Sequence, residues 1–466
     1  MVIFGLSETE WLQSTTTHVM ESTGKNYAKL MQIFSLVPNS MQYEPNDQIG
    51  IPWDLNKIAQ LLFFIALSAT VVGLICARTK AKRWWTGGLG LLLSAVLLTG
   101  YFIPVSVPVM DLSAASETAD TTYYGMNYKD CQKDEAADFR VKKYQLDFSV
   151  GLNLTGRAKV YVDRSELKSY RFTLYHGYKV KQVTDQTGAA LDFRREYDYV
   201  TVTRGGAAVE YLCLEYTGKS PKYYSSYAGV CLPANFAYYP IPGYRELFKD
   251  NFYGFIDCSL PYDTAFDVRC SGRKQMYCNL AARGDNHFAG NARSITLLSG
   301  YYDTLKLNDT LVVYPKYADG EIQARVKKNM GTFTKEHRDI HTIFIMDADN
   351  LTPYEHLRSY DGYVVTNSMI DMEQSYFESQ IDISKMDFYK TFVYYYNEKV
   401  DREELEQLKQ SEDPEEYPMV QIILKLSASK NREAAAAETE QYLTNSKDTR
   451  APMTFLQELG EKYAKA

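Results

Sequence analysis

The chain holds six histidines, and two of them, His337 and His341, stand four residues apart. On a helix that spacing puts both imidazoles on one face, where they can share a zinc ion. A glutamate directly after the first histidine then takes a proton from zinc-bound water. Here the run reads His337-Arg338-Asp339-Ile340-His341. Arg338 occupies the place of that base. A guanidinium keeps its protons at any physiological pH and repels a cation. The residues that follow, Thr342 to Met346, read TIFIM, a strand composition. The pair is therefore expected at a strand entrance, solvated and empty of metal, with His337 and His341 as the candidate ligands should a metal bind after all.

Other chemistries fare no better. The sequence has no G-x-S-x-G elbow, no Walker loop and no C-x-x-C pair. Asp347, Asp349 and Glu355 cluster after the TIFIM strand and could hold a cation, but a solvated loop is the plainer reading. No catalytic residue and no cofactor is expected. A net charge of −7 argues against a nucleic-acid partner, which would need a basic face.

The elements around these residues begin with a membrane anchor. Ile58 to Ala77 carries no charge and matches the length needed to cross a hydrocarbon core of about 30 Å. A second uncharged run extends from Trp84 to Met110, with its helix expected to end near Tyr101 because Pro104 and Pro108 disfavour continuation. Trp84, Trp85 and Tyr101 suit an interfacial belt. The short connection carries Arg78, Lys80, Lys82 and Arg83, while Glu44, Asp47, Asp54, Asp111, Glu117 and Asp120 flank the pair on its outer side. The positive-inside rule then places the connection within the helix pair (56–110) in the cytoplasm, and both the N-terminal arm (1–55) and the body after the pair outside it. Membrane lipid is thus an expected partner. A mean hydropathy of −0.34 confines the lipid-embedded share to a small part of the chain.

Met1 to Met20 lacks a basic region followed by an apolar one, so the arm has no evident signal to carry it across. It is more natural as a loop after an earlier helix, which makes the chain the expected C-terminal piece of a longer or split membrane protein. Within the arm, Tyr27, Leu30, Met31, Ile33, Phe34 and Val37 form a helical apolar stripe that suits a membrane surface or the helix pair.

Residues 111–138 are polar and small and read as a linker. Period-2 alternation follows: Tyr144, Leu146, Phe148 and Val150, then Ala158, Val160 and Val162, with turns at Asn153–Gly156, Asp185–Gly188 and Gly205-Gly206. Short strands at such regular spacing predict a β-sandwich or saddle over 139–311. The 39 tyrosines suit an aromatic-rich β domain or a contact surface.

The runs LDFRREYDYVTVTRGGAAVEYLCLEYTGK (Leu191 to Lys219), GVCLPANFAYYPIPGY (Gly229 to Tyr244) and ARSITLLSGYY (Ala292 to Tyr302) resemble the N-terminal β domain of M1-family zinc aminopeptidases, above all the version fused to ABC-2-type transporter permeases. The resemblance covers roughly Phe139 to Tyr314 and rests on strands, turns and a Tyr-Tyr-Pro segment. It implies an extracytoplasmic body that follows the last permease helices, upstream permease helices in a longer or partner chain, and a separate ATP-binding subunit. It also implies a zinc set that this sequence departs from. The H-E-x-x-H motif is absent, Tyr360 falls where the third zinc ligand would be, and the G-x-M-E-N exopeptidase motif is missing.

Residues 312–400 then read as a reduced α/β remnant of the peptidase domain, with a helix over Ile322 to Met330 and strands at Ile343 to Met346 and Tyr363 to Thr366. Met369 to Asn397, where zinc helices would stand, contains no histidine. Residues 401–466 read as a helical tail, with Ala434 to Ala437 favouring helix and Pro452 opening the last one. The fold class expected is thus two transmembrane helices plus an α+β outer body. Six cysteines fall in that body, and Cys258, Cys270 and Cys278 share one loop-rich stretch. A bridge among them and free buried thiols are both open. The functional expectation is a non-catalytic binding or gating domain, with a peptide among its candidate ligands. An active hydrolase with a non-standard site and a purely structural lid are the alternatives.

Overall fold

The computed structural model describes residues 55–100, 115–220, 222–249, 254–316, 322–346, 357–367, 372–397, 408–409 and 416–464. The N-terminal arm and the Asp347, Asp349 and Glu355 cluster lie outside these residues.

Two helices come first, α1 (Leu55–Cys76) and α2 (Lys80–Gly100). Within α1, Ile58–Cys76 is long and apolar enough to cross a membrane, and among the described residues it is the one segment that is. The second helix falls short because Lys80, Lys82 and Arg83 fill its first turn and Gly87, Gly88 and Gly90 dilute the apolar run. Residues 101–110, the rest of the stretch expected to cross, lie outside the described residues. The two helices form an antiparallel hairpin packed through small residues. A Cβ at Gly73 would lie 2.7 Å from Thr86, one at Gly90 2.1 Å from Thr70 Oγ1, and one at Gly100 2.6 Å from Ala59. Leu62, Ile65, Val72 and Ile75 on α1 and Leu89, Leu91, Leu92 and Val96 on α2 are exposed, so the outward faces of the pair are apolar.

The stretch read as a linker is partly helical. It forms α3 (Ala115–Met126) and the short α4 (Tyr128–Cys131). Its polar sequence hid the buried positions Asp120, Tyr124 and Cys131.

The β domain then follows the predicted alternation. Its first strands are β1 (Val141–Val150), β2 (Leu154–Val162), β3 (Ser169–Thr173), β4 (Tyr178–Thr184), β5 (Phe193–Glu196), β6 (Tyr199–Thr203) and β7 (Tyr211–Gly218). Later come β8 (Thr264–Ser271), β9 (Ala281–Gly284) and β10 (His287–Ala292). A seven-stranded sheet runs β9-β10-β8-β1-β2-β7-β4, and a second sheet runs β5-β6-β3 with Ile241–Pro242 at its end. β1 pairs with β2 antiparallel and with β8 parallel. Tyr144, Leu146, Phe148 and Val150 on β1, and Ala158, Val160 and Val162 on β2, are buried as the period of 2 requires. The turn predicted at Asn153–Gly156 sits slightly earlier, at residues 151–153.

The tyrosine excess goes into the core. Tyr144, Tyr170, Tyr175, Tyr178, Tyr199, Tyr216, Tyr223, Tyr224, Tyr238 and Tyr239 are almost fully buried. Buried hydroxyls need partners, and several find backbone carbonyls at 2.8 Å: Tyr144 donates to Pro240, Tyr216 to Tyr238 and Tyr238 to Ile295. The first two tie β1 and β7 to the irregular segment 233–240, and the third ties that segment to Ile295.

Beyond the β domain, β11 (Tyr302–Leu307), β12 (Thr310–Pro315), β13 (Thr342–Ile345) and β14 (Tyr363–Thr366) form successive neighbours in one further sheet. β12, β13 and β14 run parallel. Between β12 and β13 lie α5 (Ile322–Met330) and α6 (Phe333–Glu336).

The chain divides into two compact units. One comprises residues 1–356 and 360–370, and the other residues 357–359 and 371–466. The second holds α7 (Met372–Gln380), α8 (Met386–Asn397), α9 (Glu416–Ser427), α10 (Arg432–Thr444) and α11 (Pro452–Tyr463). Its core joins Phe388 and Phe392 to Val420, Ile423, Leu426, Tyr442, Phe455 and Leu459. The helices after Met372 therefore share one core with the C-terminal tail.

Candidate functional site

His337 and His341 are held by different elements. His337 follows the last residue of α6 and its ring packs on Phe333, with centroids 4.4 Å apart. His341 is exposed and extended. Its N–H donates to Gly362 O at 2.7 Å, and its carbonyl accepts from Leu311 N at 2.9 Å. These bonds fix its backbone between β12 and β14. The segment from 337 to 341 is thus the turn between helix and strand, with no helical face to present two imidazoles together. Tyr360 stacks on Tyr363 with centroids 4.8 Å apart. Among the described residues, no group of three or more His, Cys, Asp or Glu side chains is arranged to hold a metal ion.

The three cysteines of the loop-rich stretch are free thiols, with Cys258 and Cys278 buried and Cys270 half-buried. Burial pushes the Cys278 thiol up to about 12, so it carries little thiolate at neutral pH and is a poor nucleophile there.

The most concentrated chemistry lies on the stretch read as a linker. On α3, Asp120, Tyr123 and Tyr124 share a helical face by their i, i+3 and i+4 spacing. They meet Tyr175 and His176, on the connection between β3 and β4, and Asp198, on the turn between β5 and β6. The Tyr175 hydroxyl donates to Asp120 Oδ1 at 2.6 Å. His176 stands between two carboxylates, with Nε2 3.7 Å from Asp120 Oδ1 and Nδ1 3.4 Å from Asp198 Oδ1. The His176 backbone N–H also donates to Asp198 Oδ1 at 2.7 Å. Tyr123 stacks on the imidazole with centroids 3.5 Å apart, and Tyr124 meets it edge-on at 5.5 Å.

Both carboxylates are nearly inaccessible, with Asp120 3% and Asp198 1% exposed. Asp120 Oδ2 and Asp198 Oδ2 have no hydrogen-bond partner. Burial pushes the Asp120 carboxyl up to about 6, against the lowering effects of the Tyr175 hydroxyl, His176 and Lys222 and with a further raising effect from Asp198. Arg195 lies nearby and donates to the carbonyls of Leu174 at 3.0 Å and Tyr175 at 2.9 Å, and also to that of Tyr178. Its guanidinium thereby braces the loop that carries His176.

Each imidazole nitrogen faces a different carboxylate, so the three side chains do not converge on one metal. Ser220 Oγ accepts from the backbone of Lys222 and Tyr223 rather than facing His176, so no serine nucleophile is set up. What the arrangement can do is hold a proton at Asp120, beside the imidazole of His176. Its one signal in the sequence is the Asp120-Tyr123-Tyr124 spacing, in a stretch otherwise free of apolar pattern.

No family model matches the chain, and no curated protein matches it. Among solved structures, it is similar to an M1 zinc metallopeptidase from Deinococcus radiodurans, at 11% identity and TM-score 0.37, over 71% of this chain and 89% of that one. It is also similar to native leukotriene A4 hydrolase from Saccharomyces cerevisiae, at 12% identity and TM-score 0.37, over 73% of this chain and 66% of that one.

Proposed function

We propose that the chain is a non-catalytic, membrane-anchored outer domain of an ABC-2-type permease, built on the M1 aminopeptidase scaffold that its β domain resembles. Its work is binding or gating at the cell membrane, with the N-terminal arm and the body outside the cytoplasm. A peptide is the ligand class that such a scaffold favours. Upstream permease helices and a separate ATP-binding subunit are the partners this role requires.

The observation that carries the reading is the backbone of His337 to His341. His337 ends a short helix and His341 is bonded into a sheet, while zinc hydrolysis needs both imidazoles on one helical face beside a carboxylate base. Arg338 in place of that base supports the same conclusion. The apolar helix Ile58–Cys76 and the close-packed hairpin it forms support the anchoring.

The test uses the full chain in detergent micelles, assayed for bound metal and for turnover of a panel of aminoacyl reporter substrates. The expected result is substoichiometric zinc and no turnover above blank, with small peptides still binding in calorimetry. Stoichiometric zinc with hydrolysis would overturn the reading.

A further inference from the structure

The buried cluster at α3 has no part in the function proposed above, and its construction is unusual for packing alone. A helix that merely covered a sheet would bury apolar side chains. This one buries a carboxyl at its centre, against Tyr175 and His176. One carboxyl oxygen accepts the tyrosine hydroxyl, while the other is buried with nothing to donate to it. A carboxylate in that position is costly, because a buried charge needs donors on both oxygens. A neutral carboxylic acid costs less there, since it carries no net charge to desolvate.

We propose that α3 is an acid-tightened latch, docked on the β domain through Asp120 as a neutral carboxylic acid and loosened when that acid loses its proton. The titratable and charged groups that face it come from every element in the contact. Tyr175 and His176 belong to the connection after β3, Asp198 to the turn before β6, Lys222 to the segment after β7, and Tyr124 to α3 itself. Arg195 stands behind Asp198. Tyr175 and Tyr124 stay protonated throughout the physiological range because burial pushes both well above their ordinary value. Asp120 is the member of the cluster that burial moves into the weakly acidic range, to about 6 from 3.8.

The sign follows from linkage. The docked state holds the proton more tightly than the undocked state, so docking gains strength as the pH falls through about 6 and levels off near the ordinary aspartate value. Two pH units of separation correspond to a docking constant higher by about 10- to 100-fold in acid. The helix is the first described element after the membrane hairpin. In chain order the latch lies between that hairpin and the β domain.

Hydrogen exchange on the full chain in micelles tests this, with amide protection in 115–126 compared at pH 4.5 and pH 7 after correction for intrinsic rates. The strand Leu154–Val162 serves as internal reference. Protection of α3 should rise at least 10-fold in acid relative to the strand. Asp120→Asn, a neutral isostere, should hold α3 protected at both pH values and abolish the response. His176→Gln should keep it, because the proton sits on Asp120. Equal protection at both pH values in the wild type would overturn the proposal. So would a response that survives Asp120→Asn, or one lost in His176→Gln but kept in Asp120→Asn.

Discussion

Gly90 on the second helix faces Thr70 on the first so closely that a Cβ at Gly90 would lie 2.1 Å from the Thr70 hydroxyl oxygen. Thr70 is buried and its hydroxyl donates to Ala66 O at 2.7 Å. The hairpin is therefore held by backbone approach at small residues, the way helices associate where no hydrophobic force drives them together. Gly90→Leu should part the helices and destabilise the hairpin by about 1–3 kcal/mol, the usual cost of overpacking. Thr70→Ala in the same chain should recover part of the loss. Thermal unfolding of both variants in micelles, followed by helical circular dichroism, checks this. Unchanged melting in Gly90→Leu would mean that the two helices do not pack on each other.

Supplying the missing base should not revive a zinc centre. Arg338→Glu completes H-E-x-x-H in the sequence, but His341 stays bonded through its backbone to Gly362 and Leu311. Winding 337–341 into a helix would break both sheet bonds. The expected result is no zinc uptake by the variant in calorimetry and no peptidase activity. Tight zinc binding would show that the segment converts to helix at little cost, and that the wild-type chain is one substitution away from an enzyme.

Much of this architecture could be read before any coordinates. The stretches Tyr144 to Val150 and Leu154 to Val162 alternate strictly, and one face of that sheet is buried, so each residue type announces its side. The apolar run Ile58–Cys76 is legible by length alone. The helix Ile322–Met330 falls on its predicted bounds. What escaped was the role of 115–126. Its mean composition is polar, and a reading tuned to apolar periodicity passes over a helix whose buried face is Asp120 and Tyr124. His176 escaped as well, because its carboxylate partners Asp120 and Asp198 lie far from it in the chain. Proximity of that kind is a product of topology, which local pattern does not encode.

The Tyr175 hydroxyl gives a second handle on the same acid. It donates to Asp120 and so favours the ionised form, one of the effects that opposes burial. Tyr175→Phe removes that donor and should raise the Asp120 carboxyl further. A carboxyl raised in the folded state adds stability that is full below its unfolded value of 3.8 and is lost as the pH rises through its folded value, about 6 in the wild type. In Tyr175→Phe this loss should move to higher pH, on top of a uniform cost of about 1–3 kcal/mol for the buried acceptor left without its donor. Urea unfolding of the full chain at intervals between pH 4 and 8 reads both effects. A profile parallel to the wild type would show that the tyrosine does not touch the titration.

In the helical unit, Lys385 offers a prediction of a different kind. It is almost fully buried, yet among the described residues it pairs with no carboxylate. Its ammonium donates to Tyr442 O at 2.7 Å and Asn445 O at 2.8 Å, and lies 4.1 Å over the Tyr442 ring. These carbonyls belong to the end of α10, where the last C=O groups of a helix have no partner along the chain and the dipole favours a cation. Lys385→Met keeps the length of the side chain and removes the donor from Tyr442 O, while Asn445 O still accepts from Asp448 N at 3.1 Å. It should cost the helical unit about 2–3 kcal/mol, because a charge-assisted bond to a buried acceptor is lost. Added salt should change that difference little, since a buried contact is poorly screened. Denaturation of the full chain, with amide exchange in α10 as the local probe, checks the effect. Wild-type protection of α10 in Lys385→Met would show that the helix end is satisfied by water instead.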